Sequence, residues 1–375
     1  MRTRAWGGLV VVAGTVVSAG LAGCTDRPSA GQGWSLGTGG TDTPTEGGAP
    51  SVTPSYWITN PGPGSRTRWS GINLAGAEFG EVPGQYGVDY IYPSADDVAY
   101  FAAAGMNVLR VPFSWERLQP ELDSPLDADE LARLAALVSD ATDRDVSVIL
   151  DPHNYARYEG QIIGDGQVSV ASFADFWRRL ASEFAANDLV VFGLMNEPHD
   201  MGATSWFDIA NQGIAAIRDA GATNLILVPG DDWTAAESWP SVNAAMTGID
   251  DPQDNYAFEV HLYLDSDNSG AYQNSECVSE TIGADRLGAF TSFARAGAHR
   301  AFVGEFGVPV NANCLVALDN LITHVGDNAD VYLGWTYWAA GPWWGDYPLS
   351  AQPTEDGEDR PQMQVMRRHL GDGTQ

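Results

Sequence analysis

Short apolar runs alternate with longer amphipathic segments along the chain from residue 68 onward. Residues 146–150 are Val-Ser-Val-Ile-Leu, a nearly continuous apolar run that is typical of a strand covered on both faces. Residues 127–130 have the spacing of a helix capping box, and apolar residues follow at helical period up to residue 141. This alternation indicates a parallel α/β architecture.

Eight of the apolar runs are predicted to be strands: residues 71–74, 107–112, 146–151, 190–196, 224–228, 256–261, 301–305 and 331–338. Further helices are predicted at residues 172–186, 206–219 and 286–296. Eight strands and about as many helices within roughly 300 residues match the size of a (β/α)₈ TIM barrel, so residues 66–375 are predicted to form one barrel domain. A doubly wound open sheet is the alternative, but no G-x-G-x-x-G sequence follows a strand, which counts against a dinucleotide site.

Residues 1–23 are predicted to be an export signal. Arg2 and Arg4 precede an apolar stretch that is too short and too interrupted by glycine to span a bilayer comfortably. The stretch ends in Leu21-Ala22-Gly23-Cys24, which is similar to the bacterial lipobox. That likeness implies cleavage before Cys24 and attachment of a lipid to its sulfur, and ordinary signal cleavage nearby is the alternative.

The segment that follows has the composition of a linker. Of the 30 residues at positions 25–54, 20 are Gly, Ser, Thr or Pro, which is too little apolar surface to support a core. Residues 24–65 are therefore predicted to be a flexible tether between the lipidated cysteine and the barrel.

Charge narrows the chemistry that the chain can perform. Its 19 basic residues are all arginine, and with 49 acidic residues the net charge is −30. Without lysine, Schiff-base and pyridoxal chemistry and the P-loop phosphate clamp are excluded. The acidic excess also argues against nucleic acid as a partner, because a phosphate backbone is bound by clustered positive charge.

Polar side chains stand where the predicted strands end, which is where a (β/α)₈ barrel forms its active site. They are Arg110, His153, Asn154, Asn196, Glu197, His261, Tyr263, Glu305 and Trp338. Glu197 and Glu305 each follow an otherwise apolar strand. Because two carboxylates facing one another are the minimum apparatus for glycoside hydrolysis, these two are the candidate catalytic residues.

Six segments, in order, resemble the glycoside hydrolase family 5 endoglucanases, and most closely the secreted cellulases known from fungi. They are Gly-Ile-Asn-Leu-Ala-Gly at 71–76, Leu-Arg-Val-Pro at 109–112, Asp-Pro-His-Asn-Tyr-Ala-Arg at 151–157, Phe-Gly-Leu-Met-Asn-Glu-Pro-His-Asp at 192–200, Val-His-Leu-Tyr-Leu-Asp-Ser-Asp-Asn-Ser-Gly at 260–270 and Asp-Val-Tyr-Leu-Gly at 330–334. The resemblance covers residues 70–340. It implies a (β/α)₈ fold, a β-glucan substrate and no cofactor.

The resemblance also implies roles for individual residues. Glu197 corresponds to the family's general acid/base and Glu305 to its nucleophile, with hydrolysis proceeding by double displacement and retention. Asn196 would bind the sugar 2-hydroxyl, and Arg110 and Tyr263 would favour the ionised form of Glu305. The two histidines would line the cleft, and Trp338 would form its sugar-stacking floor.

Indole rings on the active-site side are further candidates for sugar contacts, because flat pyranose faces stack on them. The resemblance favours Trp233 and Trp338 among these. Trp343, Trp344 and Asn154 are also predicted to bind substrate, although loop tryptophans that simply cap the core are the alternative.

Two cysteines and one acidic loop remain. Cys277 and Cys314 form an even pair in an exported domain, and related cellulases bridge these positions, so a disulfide is expected rather than two free thiols. Residues 265–276 nearly reproduce an EF-hand calcium loop, but they follow a strand instead of joining two helices, and the family carries much of the same run in its cleft. No other metal spacing is present, and no metal site is predicted.

Together these features predict an exported, lipid-anchored endo-β-1,4-glucanase, a monomer that is held at the cell surface or secreted if the anchor is not attached. Its partners would be a β-1,4-linked polysaccharide or oligosaccharide and, through the anchor alone, a membrane. A mannanase, a xyloglucanase or a mixed-linkage glucanase of the same family is one alternative. A catalytically dead glycan-binding lipoprotein is the other.

Overall fold

The computed structural model describes residues 67–371, apart from the side chains of residues 203 and 204. The predicted signal peptide, Cys24 and the tether at 24–65 lie outside these residues and stay predictions. Among the described residues, no helix has the length and apolarity needed to cross a membrane.

Eight parallel strands close into a barrel, which confirms the predicted fold class. They are β1 (Trp69–Leu74), β2 (Val108–Phe113), β3 (Ser147–Pro152), β4 (Val190–Gly193), β5 (Ile226–Val228), β6 (Tyr256–His261), β7 (Ala301–Glu305) and β8 (Tyr332–Ala340). Each strand pairs with its neighbours in the chain, and β1 closes the barrel against β8. All eight predicted strands are present, although β4 ends at Gly193, three residues earlier than predicted.

Helices surround the barrel in chain order. They are α1 (Ala95–Ala103), α2 (Ala128–Thr142), α3 (Val170–Phe184), α4 (Ala203–Asp219), α5 (Trp239–Val242), α6 (Ile282–Ala296), α7 (Ala312–Asp327) and α8 (Pro361–Met366), with a single helical turn at Trp115–Leu118. Asp127 caps α2 by accepting from the backbone N–H groups of Asp129 and Glu130. Glu130 does not complete the expected capping box, because its carboxylate instead accepts from the Tyr90 hydroxyl. The full capping box is on α1, between Ser94 and Asp97.

The inside of the barrel is layered. One end is filled by an apolar cluster made of Trp69, Val108, Ile149, Val191, Leu225, Leu227, Ala257, Phe302 and Leu333. Because side chains alternate along a strand, the residue two positions further on points inward again. The next layer toward the carboxyl ends is therefore Asn73, Arg110, Asp151 and Glu259, all buried. The barrel core thus changes from apolar to charged directly beneath the strand ends.

A register shift between β6 and β7 places two of the predicted site residues, His261 and Glu305, opposite one another. On the β6–β7 ladder Glu259 pairs with Phe302 and Val260 with Val303, but His261 pairs with Glu305, so Gly304 is passed over. Bulges of this kind re-aim side chains next to active sites. Both His261 and Glu305 consequently face the barrel axis.

Candidate active site

A large cavity opens at the carboxyl ends of the strands. It has a volume of about 840 Å³, and its walls come from the segments that follow β3 to β8. Seven of the predicted site residues line it: His153, Glu197, Trp233, His261, Tyr263, Glu305 and Trp338. A cleft of this size is open enough for a chain of sugar rings.

Glu197 and Glu305 meet at the centre of this cleft. An oxygen of Glu197 and an oxygen of Glu305 lie within 4.8 Å of one another. Glu305 is buried at the end of β7, whereas the Glu197 carboxylate remains partly exposed to the cleft. Glu197 has a φ of 38°, a left-handed backbone conformation that is rare for residues other than glycine and is typical of functional sites.

Glu305 accepts one strong hydrogen bond on each oxygen. Arg110 Nη1 lies 2.8 Å from Oε1, and the Tyr263 hydroxyl donates to Oε2 at 2.9 Å. Burial, reinforced by the charge of Glu305, raises the pKa of Tyr263 well above its usual range, so the phenol keeps the proton that it donates. Both contacts stabilise negative charge on Glu305.

Arg110 organises the layer beneath the two glutamates. Its side chain is fully buried, and its guanidinium contacts Asp151 at 3.0 Å and Glu259 at 2.9 Å in addition to Glu305. It also donates to the amide oxygens of Asn73 and Asn196. Burial alone would lower the pKa of Arg110, but the Asp151, Glu259 and Glu305 carboxylates raise it well above its usual range, so the guanidinium stays charged.

His261 lies between carboxylates on both sides of its ring. Nδ1 is 2.7 Å from Glu197 Oε1 and 3.8 Å from Glu305 Oε2, and Nε2 is 3.2 Å from Glu259 Oε1. Burial would lower the pKa of His261, but Glu305, Glu197 and Glu259 together raise it to about 10. A carboxylate at each ring nitrogen and a raised pKa both favour the imidazolium form of His261.

His153 is held in one tautomer by its neighbours. Asn196 Oδ1 accepts from Arg110, so the amide nitrogen of Asn196 faces His153 Nε2, at 3.2 Å. Because that nitrogen can only donate, Nε2 must accept, and the proton sits on Nδ1, 2.8 Å from Asp151. The Trp338 indole stacks on this imidazole with ring centroids 5.3 Å apart and planes 19° apart.

The aromatic residues predicted to bind sugar divide into two groups. Trp233 lines the cleft, is 48% exposed, and stacks on His199 at a centroid distance of 3.7 Å. Trp338 also lines the cleft. Trp344 is packed against Phe79 and stacked on Tyr347, and neither it nor Trp343 is among the residues that line the cavity.

Asn154 has a structural position that the sequence did not indicate. It is buried, its side-chain oxygen accepts from the Trp115 backbone N–H at 2.7 Å, and its nitrogen donates to Glu116 at 2.6 Å. Both polar atoms are occupied in holding the helical turn after β2. The structure therefore does not bring Asn154 into the wall of the cleft.

Several residues around the site were not predicted as site residues, among them Asn73, Tyr155, Asp151, Glu259 and Tyr347. The alternation of side chains along a strand could have indicated Asn73, Asp151 and Glu259, because each lies two or four positions after an inward-facing residue on its strand. Tyr155 and Tyr347 line the cavity from loops, where no periodicity indicates direction.

The predicted disulfide is confirmed. Cys277 and Cys314 are bonded, with a Cα–Cα distance of 5.3 Å, and they join the segment after β6 to the start of α7. In the neighbouring acidic loop, both Asp265 oxygens accept hydrogen bonds from within the loop, from the backbone N–H groups of Gly270 and Tyr272. Part of this loop, Asp267 to Gly270, lines the cleft.

One group of three side chains within residues 67–371 has the spacing to hold a metal ion: Glu197, His261 and Glu305. Glu197 Oε1 and His261 Nδ1 already contact one another at 2.7 Å.

Comparisons with known proteins point to one family. The sequence model of the family described as cellulase (glycosyl hydrolase family 5) matches residues 62–341. Endo-beta-1,4-glucanase A of Emericella nidulans is 43% identical over 290 residues, which are 76% of this chain and 87% of that relative. Endoglucanase gh5-1 of Neurospora crassa is 39% identical over 290 residues, which are 76% of this chain and 73% of that relative.

Solved structures resemble the barrel closely. The endo-beta-1,4-glucanase Xac0029 from Xanthomonas axonopodis pv. citri has a TM-score of 0.78 and 45% identity, covering 80% of this chain and 98% of that one. The complex of XacCel5A with cellopentaose has a TM-score of 0.79 and 46% identity, covering 81% of this chain and 99% of that one. Pseudomonas stutzeri endoglucanase Cel5A with cellobiose has a TM-score of 0.77 and 37% identity, covering 82% and 93%.

Proposed function

The chain belongs to glycosyl hydrolase family 5 and is a glycoside hydrolase, and we propose that it is an endo-β-1,4-glucanase that cleaves internal bonds of β-1,4-glucan with retention of configuration. The observation that carries this proposal is the carboxyl pair at the centre of an open cleft, with an oxygen of Glu197 within 4.8 Å of one of Glu305. The relatives named as endoglucanases, and the related structures that hold cellopentaose and cellobiose, support a β-1,4-glucan substrate.

Glu305 is the proposed nucleophile. Its two oxygens are fixed by Arg110 and Tyr263, so the carboxylate is oriented and carries its negative charge before substrate arrives. Attack on the anomeric carbon forms a glycosyl–Glu305 ester and releases the leaving oxygen of the next sugar. As this bond forms, Arg110 and Tyr263 remain on the carboxyl oxygens and orient the departing Glu305 for the second step.

Glu197 is the proposed acid and base. It is partly exposed to the cleft, and its Oε1 accepts from His261, which leaves the other oxygen to carry the transferable proton. The protonated form gives that proton to the leaving oxygen in the first step. The resulting carboxylate then takes a proton from water as the water cleaves the glycosyl–Glu305 ester.

The separation of the carboxyls supports retention. Retaining glycosidases hold their carboxyl groups about 5–5.5 Å apart, while inverting enzymes need about 6.5–9.5 Å to accommodate a water molecule. The closest oxygens of Glu197 and Glu305 are within 4.8 Å, which fits the shorter spacing. The product should therefore appear first as the β-anomer.

Aromatic rings and one amide are the proposed sugar contacts. Trp338 would stack on the pyranose next to the cleaved bond, and the Asn196 amide nitrogen would donate to its 2-hydroxyl. Trp233, which is exposed and backed by His199, would bind a ring further along the cleft. Contacts of this kind suit a neutral polymer, in keeping with the acidic charge of the chain.

Export and anchoring extend the proposal to the rest of the chain. The Cys277–Cys314 disulfide fits an oxidising compartment, and the sequence at residues 21–24 supports lipidation of Cys24 at a cell surface. The enzyme would act there as a monomer. Labelling with a radioactive fatty acid tests the anchor. The wild-type protein should incorporate the label, whereas Cys24→Ser should lose it and be released into the medium. Unchanged labelling of Cys24→Ser would contradict the anchor.

A comparison of substrates tests the activity. Reducing ends released from carboxymethylcellulose should exceed those released from mannan, xyloglucan and mixed-linkage glucan at equal mass. A preference for one of the other polymers would reassign the substrate within the family. Release from none of them would identify a glycan-binding protein and contradict the proposed hydrolysis.

A further inference from the structure

Glu259 is a buried carboxylate that the proposed mechanism does not use. It lies on β6, two residues before His261, and its side chain is 1% exposed. Its Oε1 is 2.9 Å from Arg110 Nε and 3.2 Å from His261 Nε2. A carboxylate in such a place costs free energy unless it is paired, so both partners are needed to keep it there.

The backbone makes room for this contact. Gly304 is the residue passed over in the β6–β7 ladder, and a Cβ built on it would lie 2.1 Å from Glu259 Oε1 and 2.7 Å from His261 Nε2. No other residue type fits beside the Glu259–His261 contact without moving it. The bulge that aligns His261 with Glu305 therefore also admits Glu259.

The hydrogen-bond geometry fixes the protons on the His261 ring. Glu259, paired with Arg110, accepts from Nε2, so Nε2 carries a proton. If Glu259 did not stabilise the second proton on the ring, a neutral His261 would keep its proton at Nε2 and present a lone pair at Nδ1. That lone pair would lie 2.7 Å from Glu197 Oε1 and would accept the proton of the catalytic acid.

We propose that Glu259 is a positioning residue that keeps His261 doubly protonated. The Nδ1–H group of His261 then donates to Glu197 Oε1. The transferable proton of Glu197 therefore stays on the other oxygen, which faces the leaving group. This rests on the assignment of Glu197 as the general acid. Glu259 acts through His261 and does not touch substrate. Its negative charge, 3.2 Å from Nε2, favours the protonated ring of His261.

Several other charged groups face His261 and stay unchanged when Glu259 is altered. They are Glu197 after β4, Glu305 on β7, Arg110 on β2, Asp151 on β3 and the Tyr263 hydroxyl after β6. Asp232 and Glu237 also line the cleft. A pH effect of Glu259→Gln therefore reports the loss of one charge at Nε2 of His261.

The test compares two substrates across pH. Cellotetraose has a leaving group that needs a proton, whereas 2,4-dinitrophenyl β-cellobioside has one that departs without it. For Glu259→Gln the alkaline limb of kcat/KM on cellotetraose should move to lower pH by at least about one unit. At pH 8 the kcat/KM of the variant should fall at least about 10-fold on cellotetraose and less than about 3-fold on the dinitrophenyl substrate.

Two further variants control for structure and charge. Glu259→Asp keeps the charge and should keep the alkaline limb within about half a unit of wild type. Asp251→Asn removes a buried carboxylate that pairs with Arg218 outside the cleft, so it should lower stability without moving the limb. An equal loss on both substrates at every pH in Glu259→Gln would show a merely structural role and overturn the proposal.

A measurement on the wild-type protein keeps the test independent of folding in the variant. Nitrogen NMR of the histidine rings at pH 7 should show two protonated nitrogens for His261, assigned by the signal missing in His261→Asn. A neutral His261 ring at pH 7 would overturn the proposal. If Glu305→Gln retained full turnover, the failure would instead lie in the proposed function.

Discussion

Arg110 Nη1 lies 2.8 Å from Glu305 Oε1, and this ion pair connects the catalytic cleft to the charged layer inside the barrel. The guanidinium is fully buried and also contacts Asp151 and Glu259, so one cation balances three carboxylates. Asp151 in turn orients His153, and Glu259 contacts His261. The orientation of both histidines and the charge of Glu305 therefore depend on the same arginine.

Removal of this cation should destabilise the fold and reverse its dependence on pH. Arg110→Met leaves three buried carboxylates uncompensated, so we expect a loss of more than about 3 kcal/mol in the free energy of unfolding at pH 7. Without Arg110, burial should raise the pKa of Asp151 above its unfolded value, so the contribution of Asp151 to stability would be retained at low pH and lost as pH rises. Urea unfolding at pH 5 and pH 7 measures this.

The matched control for that experiment is an exposed ion pair. Arg295 pairs with Asp330 at 2.6 Å on the surface, and Arg295→Met should cost less than about 1 kcal/mol. Equal destabilisation of the two variants would contradict the account of Arg110 as a buried counter-ion.

Glu305→Gln tests the nucleophile. The amide cannot attack the anomeric carbon, so turnover should fall at least about 10³-fold, as it does when covalent nucleophiles are removed elsewhere. The shape of the cleft is kept, and binding of cellotetraose by calorimetry should be within a few-fold of wild type. Near-normal turnover would eliminate Glu305 as the nucleophile.

The two exposed tryptophans should differ in their effect on binding. Trp233 lines the cleft, so Trp233→Ala should raise KM for cellopentaose about 5- to 30-fold, in line with about 1–2 kcal/mol for a lost stacking contact. Trp343 is 39% exposed but does not line the cavity, and Trp343→Ala should leave KM within about 2-fold. The reverse order would show that the cleft extends over the segment after Pro342.

The disulfide should contribute to stability rather than to catalysis. It closes a loop with a sequence separation of 37 residues, for which loop-closure entropy gives about 3–4 kcal/mol. The double variant Cys277→Ser and Cys314→Ser should lose about that much in urea unfolding while keeping most of its kcat at 25 °C. A large loss of kcat with unchanged stability would place the bridge in the catalytic machinery instead.

The strands and the outer part of the site could be predicted because their signals are local. Val146 to Leu150 is apolar except for Ser147, and Glu197 and Glu305 each place a charge at the end of an apolar run. The end of β4 was harder to predict, because Leu194 and Met195 continue the apolar run beyond Gly193, where the strand ends.

The inner layer of the site could not be predicted because it depends on partners from distant strands. Glu259 lies in the run Tyr-Ala-Phe-Glu-Val-His, where an acidic residue on a strand suggests exposure. Only closure of the barrel brings Arg110 beside it. Asn154 was predicted as a site residue but is structural. It follows His153 in a recognisable segment, yet its side chain donates to Glu116 and does not face the cleft.

The most direct test of the central claim is to trap the covalent intermediate. Incubation with 2,4-dinitrophenyl 2-deoxy-2-fluoro-β-cellobioside should inactivate the enzyme. The fluorine slows both steps, but the good dinitrophenolate leaving group keeps the first step fast enough for the covalent intermediate to accumulate. Mass spectrometry of the digested protein should then find one fluorocellobiosyl group, on the peptide that contains Glu305, and none in Glu305→Gln. A label on Glu197, or full activity with no label, would contradict double displacement through Glu305.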